Sequence, residues 1–150
     1  LDLFNININI NNVKISQAQF QQQVAYCPQD VHIVSASLMD NALLFCDEEN
    51  FLTDIAKNKM NELDFGHSLM TREDINSTTI SGGQKRRLAL LRCLMLNRNI
   101  LICDEPTSEL DDATSEIVKD LLIKLSKTQM VIVTSHDERL INASDNILEL

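Results

Sequence analysis

The regular alternation in the second half of the sequence constrains the fold most strongly. Two apolar runs of strand length, 100–103 and 130–133, alternate with segments of helical periodicity at 84–97, 112–126 and 137–142. A strand, a helix and a second strand make up the unit of a parallel sheet, so this order predicts a parallel sheet covered by helices. A last strand is expected at 147–150.

The first half of the sequence predicts a hairpin and one buried strand. Residues 4–10 alternate Phe or Ile with Asn, which is the period of a half-buried strand. Asn11 and Asn12 suit a tight turn, and 13–15 would form the returning strand. Residues 24–27 are an apolar run that ends at a proline, and they predict a buried strand. Tyr26 lies in this run, so we expect it to pack in the core.

Several helices are predicted from polar residues that precede segments of helical pattern. Serine and aspartate side chains cap helix starts by accepting hydrogen bonds from the first free N–H groups. The predicted caps are Ser16 before a helix to 23, Ser37 before 38–45, Asp47 before a helix to about 60, and Ser81 before 84–97. Residues 61–79 are polar and predict a loop with a helical turn or two.

Charge and composition exclude several classes of protein. The 150 residues, enough for one domain or a slice of one, carry 13 basic and 22 acidic side chains, a net charge of −9 that disfavours direct binding to nucleic acid. No apolar run approaches the roughly 20 residues that span a bilayer, and the first residues lack the pattern of a signal peptide. The four cysteines form no C-x-x-C pair, so free thiols in a reducing compartment are expected.

Two predicted strands end in polar, chemically active side chains. Asp104 and Glu105 follow the run 100–103, and His136 follows 130–133 after a threonine and a serine. Ligand groups collect at the carboxyl ends of parallel strands, and paired carboxylates there suit a site for Mg²⁺ and a nucleotide. An acidic strand end that caps the next loop is the alternative.

The segment 81–87 places a serine and two of the three glycines of the chain before three cations. Glycine lets the backbone approach an anion closely, and the exposed N–H groups of a helix start favour negative charge. Three cations in the first turns oppose the helix dipole unless negative charge lies nearby. A bound polyphosphate or neighbouring acids would supply that charge. The alternative is a Ser-Gly-Gly turn followed by a solvated basic face.

Five segments resemble the motifs of ABC (ATP-binding cassette) ATPases, in the order of that family. The residues Ser-Gly-Gly-Gln at 81–84 resemble the signature motif, and 101–107 resembles the Walker B strand with its glutamate. Residues 108–111 resemble the D-loop. His136 resembles the switch histidine, and Gln29 resembles the glutamine of the Q-loop.

The resemblance implies an α/β fold: a P-loop NTPase-like, mostly parallel sheet flanked by helices. Residues 1–28 would hold part of an antiparallel β subdomain and core strands, 29–80 the Q-loop and a helical subdomain, and 81–150 the signature helix and core sheet. The interval from Gln29 to Ser81 has the size of a transporter-type helical subdomain and lacks the long coiled coil of chromosome-maintenance relatives. Residues 35–41 resemble the segment that follows the Q-loop in exporters.

The resemblance also implies residue roles. Asp104 would orient the hydration shell of Mg²⁺, Glu105 would act as general base, and His136 would contact the γ-phosphate and the attacking water. Gln29 would touch Mg²⁺ or water. The remaining implied nucleotide-binding residues lie at the seam with a second subunit: Ser81, Gly82, Gly83, Gln84, Ser108 and Asp111.

Departures from the family pattern shape the functional expectation. The sequence contains no G-x-x-x-x-G-K-[ST] motif and no adenine-stacking aromatic residue, so we expect both upstream of Leu1 in a longer parent protein, and we expect this piece to be inactive alone. Ile80 replaces a leucine and Glu109 a small residue, and the polar lead-in at 72–79 differs from that of exporters.

The expected function is ATP binding and hydrolysis that powers export. The expected cofactors are ATP and Mg²⁺. The expected partners are a second nucleotide-binding domain and transmembrane domains, with no nucleic acid. The domain is expected on the cytoplasmic side of the cell membrane. Two alternatives remain open: a soluble ABC-type ATPase of DNA repair or translation, and a non-catalytic interaction module.

Overall fold

The described part of the chain begins with two short antiparallel strands. The structure is a computed structural model that describes residues 8–10, 13–46 and 49–148, with side chains at 16–46 and 52–148. Strand β1 (Ile8–Ile10) pairs antiparallel with β2 (Val13–Ile15), and Ile8 lies opposite Ile15. The returning strand is thus confirmed, whereas residues 4–7 and the asparagine turn lie outside the described residues.

Capped helices follow the serines, as predicted. Ser16, Ser37 and Ser81 each accept a hydrogen bond from the backbone three residues on, while the side chain at that position bonds back to the serine N–H. The helices are α1 (Gln17–Gln21), α2 (Leu38–Leu43), α3 (Glu49–Glu62), α4 (His67–Met70), α5 (Gly82–Leu96), α6 (Asp112–Ser126) and α7 (Glu138–Ala143). Helix α5 begins two residues earlier than predicted, because Ser81 caps Gly82 directly.

Three parallel strands form the central sheet. Strand β3 (Val24–Cys27) pairs with β4 (Ile100–Asp104), which pairs with β5 (Met130–Thr134), so the order is β3-β4-β5. Helix α6 makes the crossover from β4 to β5. The predicted parallel sheet with helices is confirmed. Ile147 and Leu148, however, lie in no strand, and residues 149–150 of that predicted strand are outside the described part.

The two faces of this sheet differ in burial. Ala25, Cys27, Leu101 and Cys103 are buried on the face where α5 packs on β3. Side chains alternate along a strand, so the neighbours of these residues point to the other face. There Tyr26 is 55% exposed, and the prediction that it packs in the core is wrong. The reason is that a one-residue step along the strand turns its ring away from the helices.

Helices α2, α3 and α4 lie between β3 and α5 in the chain, and they form a cluster that packs on α5. Helices α2 and α3 contact both α5 and each other. Buried apolar side chains join them, among them Leu38, Met60, Leu63, Ile75 and Leu88. Among the helices that the structure describes, none has the length and apolar character needed to cross a bilayer.

Candidate functional site

The carboxyl ends of the three parallel strands bring four predicted residues to one edge of the sheet. Gln29 lies two residues beyond β3, Asp104 ends β4 and Glu105 follows it, and His136 lies two residues beyond β5. The strands are adjacent and parallel, so these positions meet at the same edge. Gln29 is exposed, whereas Asp104 and Glu105 are half-buried.

Asp104 is oriented by a threonine on the next strand. Thr134 is its register partner, and the Thr134 hydroxyl donates a 2.6 Å hydrogen bond to Asp104 Oδ1. No hydrogen bond among the described residues engages Asp104 Oδ2. Sequence reasoning did not assign Thr134 a role, although a hydroxyl at the end of an apolar strand was a usable signal. The pair presents one uncommitted carboxylate oxygen at the edge of the sheet.

Glu105 stands on an unusual backbone conformation beside His136. Its φ is 49°, in the left-handed region that non-glycine residues rarely adopt, and its N–H donates to the Thr134 carbonyl at 3.0 Å. Such strain recurs at functional sites. The side chain is 22% exposed, and Glu105 Oε1 lies 3.8 Å from Nε2 of the fully exposed His136. A carboxylate and an imidazole therefore face each other without a direct hydrogen bond.

The turn after Glu105 is held by its own side chains. Ser108 donates from its N–H (3.2 Å) and its hydroxyl (3.0 Å) to the Glu105 carbonyl. Asp111 caps α6, accepting from the Thr114 N–H at 3.0 Å and the Thr114 hydroxyl at 2.9 Å, and these bonds lower the pKa of the Asp111 carboxyl. Both predicted seam residues thus have structural bonds within the chain.

The signature loop, Ser81–Gln84, forms the first turn of α5. Ser81 Oγ accepts from the Gln84 N–H at 3.2 Å, and Gln84 Oε1 accepts from the Ser81 N–H at 2.9 Å. The N–H groups of Gly82 and Gly83 lie in the first helical turn, where a helix offers no internal acceptor. The loop therefore keeps two glycine N–H groups for an external oxygen, while the Ser81 N–H is used internally.

Glu109 lies directly against this loop. A Cβ atom built on Gly82 would stand 1.7 Å from Glu109 Oε2, and one on Gly83 would stand 3.0 Å from the Glu109 carbonyl oxygen. Glu109 also has a positive φ of 63°. Residues 109–110 thus pack closely on the signature loop, and the backbone contact at Gly83 favours glycine at that position.

Two of the three cations after the signature loop bond to backbone carbonyls. The sequence predicted either compensation by negative charge or a solvated basic face, and not this arrangement. Arg86 is buried and donates to backbone carbonyls of the loop after β3. Arg87 donates to the Leu63 carbonyl at 3.0 Å and to the Asp64 carbonyl, and its guanidinium lies 5.1 Å from the Phe65 ring centroid. Backbone carbonyls thus compensate two of the three cations, and a solvated basic face is wrong for Arg86.

The atoms at the edge of the sheet suit a magnesium ion. They are carboxylate oxygens of Asp104 and Glu105, the Thr134 hydroxyl and the Gln29 amide, all hard oxygen ligands of the kind that Mg²⁺ prefers. The uncommitted Asp104 Oδ2 gives such an ion a direct or water-mediated contact. This donor set is compatible with Mg²⁺.

Comparison with known proteins decides the family. The sequence profile described as ABC transporter matches residues 5–108, which is most of the chain. The chain belongs to the ABC transporter family. This membership confirms the predicted family.

Curated relatives of this ABC chain are considerably longer. An ATP-dependent lipid A-core flippase of Photobacterium profundum is 31% identical over 87% of this chain and 23% of its own length. One of Haemophilus influenzae is 30% identical over 94% of this chain and 25% of its own length. A lactococcin-A transport/processing ATP-binding protein of Lactococcus lactis is 34% identical over 76% of this chain and 17% of its own length. The chain thus spans about a quarter or less of these relatives.

Solved structures confirm the fold of the ABC chain. A dimeric ATP-binding cassette in a post-hydrolysis state, bound to ADP and Pi, superposes with a TM-score of 0.74 at 21% identity, covering 91% of this chain and 65% of its own. A bacterial Atm1-family ABC exporter with ATP bound gives a TM-score of 0.75 at 22% identity, covering 90% of this chain and 25% of its own.

Proposed function

We propose that this chain supplies the hydrolytic edge and the signature surface of an ATP-hydrolysing domain in an exporter-type ABC transporter. One observation carries the proposal: Glu105, on a left-handed backbone, faces His136 at 3.8 Å at the carboxyl edge of the parallel sheet. A carboxylate with a neighbouring imidazole at this edge can deprotonate a water and hold the geometry of its attack on a phosphate.

The proposed roles follow from the positions of the side chains. Glu105 accepts the proton of the water that attacks the γ-phosphate, and its backbone bond to Thr134 holds the carboxylate at the edge. His136 contacts the γ-phosphate and the water. Asp104, oriented by the Thr134 hydroxyl, and Gln29 would hold Mg²⁺. The ion supplies charge neutralisation on the phosphate oxygens when bound.

The second proposed surface is the signature loop. Gly82 and Gly83 would donate their N–H groups to the γ-phosphate of an ATP held by a second copy, with Ser81 and Gln84 shaping the turn. Ser108 and Asp111 lie in the adjoining 105–111 turn at the same seam.

Transport is proposed from the relatives. Two of them are named as ATP-dependent lipid A-core flippases and one as a lactococcin-A transport/processing protein. By analogy, transmembrane domains are the second class of partner, and the domain would act on the cytoplasmic side of the membrane. Residues 29–80 would form the helical subdomain that contacts them, and 1–28 and 81–150 the remaining parts of the domain.

Glu105→Gln in the full-length protein tests the catalytic assignment. The amide keeps the shape of the side chain but cannot accept the proton, so we expect steady-state ATP turnover to fall by about a hundredfold or more while ATP still binds. Asp120→Asn, the same carboxylate-to-amide change at an exposed position of α6, is the control and should leave turnover unchanged. Wild-type turnover in Glu105→Gln would contradict the assignment. Absence of ATP binding by the wild type would favour an interaction module.

The same assay addresses the 150-residue chain alone. Its sequence contains no G-x-x-x-x-G-K-[ST] segment, the cradle that binds the phosphates of ATP through backbone N–H groups and a lysine. We propose that this chain alone turns over ATP no faster than its Glu105→Gln variant.

A further inference from the structure

Two arginines of α5 bury their guanidinium groups with no carboxylate partner among the described residues. Arg86 is 4% exposed and Arg92 is 7% exposed. The hydrogen bonds of both groups go to backbone carbonyls and to one asparagine amide oxygen. A buried charge is costly unless it is hydrogen-bonded, so the loss of these hydrogen bonds would strongly destabilise the fold.

All of the acceptors lie within residues 28–41, which comprise the link after β3 and the first turn of α2. Arg86 Nη1 donates to the Pro28 carbonyl at 3.3 Å and to the Gln29 carbonyl. Arg92 donates to the carbonyls of His32 and Asn41, each at 2.7 Å. Helix α5 thus holds the start of the segment through one arginine and its later part through the other.

Asn41 extends the second anchor into the middle of the segment. Its Oδ1 accepts from Arg92 Nη2 at 2.9 Å and from the Val34 N–H at 3.0 Å. Its Nδ2 donates to the carbonyls of Val34 at 2.9 Å and Ser37 at 3.0 Å. This network does not reach Gln29, whose carbonyl accepts its hydrogen bond from Arg86 instead.

We propose that Arg86 is a positioning residue for Gln29. By holding the Gln29 carbonyl, it sets the direction in which the exposed Gln29 side chain leaves β3 toward the edge with Asp104. Arg86 lies little more than one helical turn beyond Ser81. One rigid helix therefore carries the signature loop and the anchor of Gln29, so that a displacement at the loop moves Gln29. This assignment rests on the proposed function of both sites.

A nitroxide spin label next to Gln29 tests whether Arg86 anchors this residue, because its electron paramagnetic resonance spectrum reports local mobility without any activity measurement. The label is attached to Asp30→Cys, an exposed position, in the full-length protein with Cys46 and any exposed cysteine outside this chain replaced by serine, since the other three cysteines of this chain are buried. Arg86→Met removes the donors but keeps an apolar stem, and should shorten the rotational correlation time of the label by about twofold or more. Arg86→Lys, which can still donate to both carbonyls, should stay near wild type.

Arg92→Met is the matched control, because it removes a second buried guanidinium of the same helix. Its acceptors begin at His32, so position 30 should keep its wild-type mobility even though urea denaturation shows lower stability. An unchanged spectrum in Arg86→Met, or equal mobilisation of position 30 by Arg92→Met, would overturn the proposal.

ATP turnover separates positioning from general damage. In Arg86→Met we expect kcat to fall about tenfold with KM within about twofold, and Arg86→Lys should recover most of kcat. Arg92→Met should lower kcat much less at a comparable loss of stability. An equal loss of kcat in both methionine variants would refute the positioning role. If the wild type hydrolyses no ATP, the proposed function fails, and the nitroxide spectra alone decide whether Arg86 anchors Gln29.

Discussion

Gly82 and Gly83 are neighbours in the first turn of α5, but they meet different parts of the following turn. A methyl group on Gly82 would meet the tip of the Glu109 side chain, which can rotate away. A methyl group on Gly83 would meet the Glu109 carbonyl at 3.0 Å and the Leu110 side chain at 3.1 Å. The second site is limited by backbone, which cannot move without cost.

The two alanine variants should therefore differ in stability. Alanine in a helix is favoured over glycine by about 1 kcal/mol, and Gly82→Ala should keep part of that gain. Gly83→Ala should be less stable than Gly82→Ala by about 1–2 kcal/mol in free energy of unfolding, measured by urea denaturation. Adding Glu109→Ala should raise the stability of Gly82→Ala only. The reverse order of the two single variants would show that the contacts with Glu109 are wrongly assigned.

At this scale the sequence predicts residues whose role depends on local pattern. The acid pair after a strand and the glycine pair after a capping serine are both visible in the sequence. The contacts of Arg86, Thr134 and Glu109 were not predictable, because each joins segments that are far apart along the chain. Their partners depend on strand order and on where the loops cross, and no local periodicity encodes either.

Helices α6 and α7 are tied together through one arginine. Arg139 donates to both carboxylate oxygens of Asp137, at 2.9 and 3.0 Å, and to Asp112 at the start of α6, at 3.0 Å. The Arg139 guanidinium is the main cause that lowers the pKa of the Asp137 carboxyl to about 2. The bidentate pair fixes α7 directly after His136.

This pair predicts an acid-dependent stability. The folded-state pKa of Asp137 lies below the unfolded value, so its stabilisation is present above about pH 4 and is lost as the pH falls toward 2. Asp137→Asn should cost about 1 kcal/mol near pH 6, after allowance for the partly exposed Arg139, and much less near pH 2. Thermal unfolding between pH 2 and 6 measures this. Asp145→Asn, beyond α7, is the control, and a pH-independent difference for Asp137→Asn would contradict the assignment.

Caps and hydrophobic periodicity predict most of the helices and strands, but some of the predicted ends differ from those observed. Helix α6 has its predicted bounds, because Asp111 caps it and its apolar positions follow one helical face. Helix α1 ends at Gln21 rather than 23, since strand β3 begins at Val24 and the chain needs a turn between them. Strand pairing, by contrast, depends on neighbours, and Ile147 and Leu148 show that apolar side chains alone do not make a strand.

The 150-residue chain carries a net charge of −9, so two copies of this part of the protein repel each other. Head-to-tail association through the signature loop has to overcome this contribution, as well as the negative charge of the triphosphate. We expect ATP to promote association of the full-length Glu105→Gln protein, and moderate salt to weaken this part of the repulsion. Light scattering with and without ATP measures it.

A charge change at Ser81 tests whether that association uses the signature loop. Aspartate caps helices as well as serine does, so Ser81→Asp should leave α5 intact while placing a negative charge against the phosphate. We expect ATP-induced association to weaken about tenfold or more. Ser16→Asp, which changes the same kind of cap on α1, is the matched control and should associate normally. Normal association of Ser81→Asp would remove the signature loop from the interface.

The capping bond of Ser81 gives the signature loop a chemical preference of its own. One lone pair of the Ser81 hydroxyl oxygen accepts the Gln84 N–H, and the hydroxyl proton can still be donated to a ligand. Together with the two glycine N–H groups, it makes the loop a cluster of hydrogen-bond donors. Such donors select for electron density, which a phosphate oxygen supplies and a metal cation lacks.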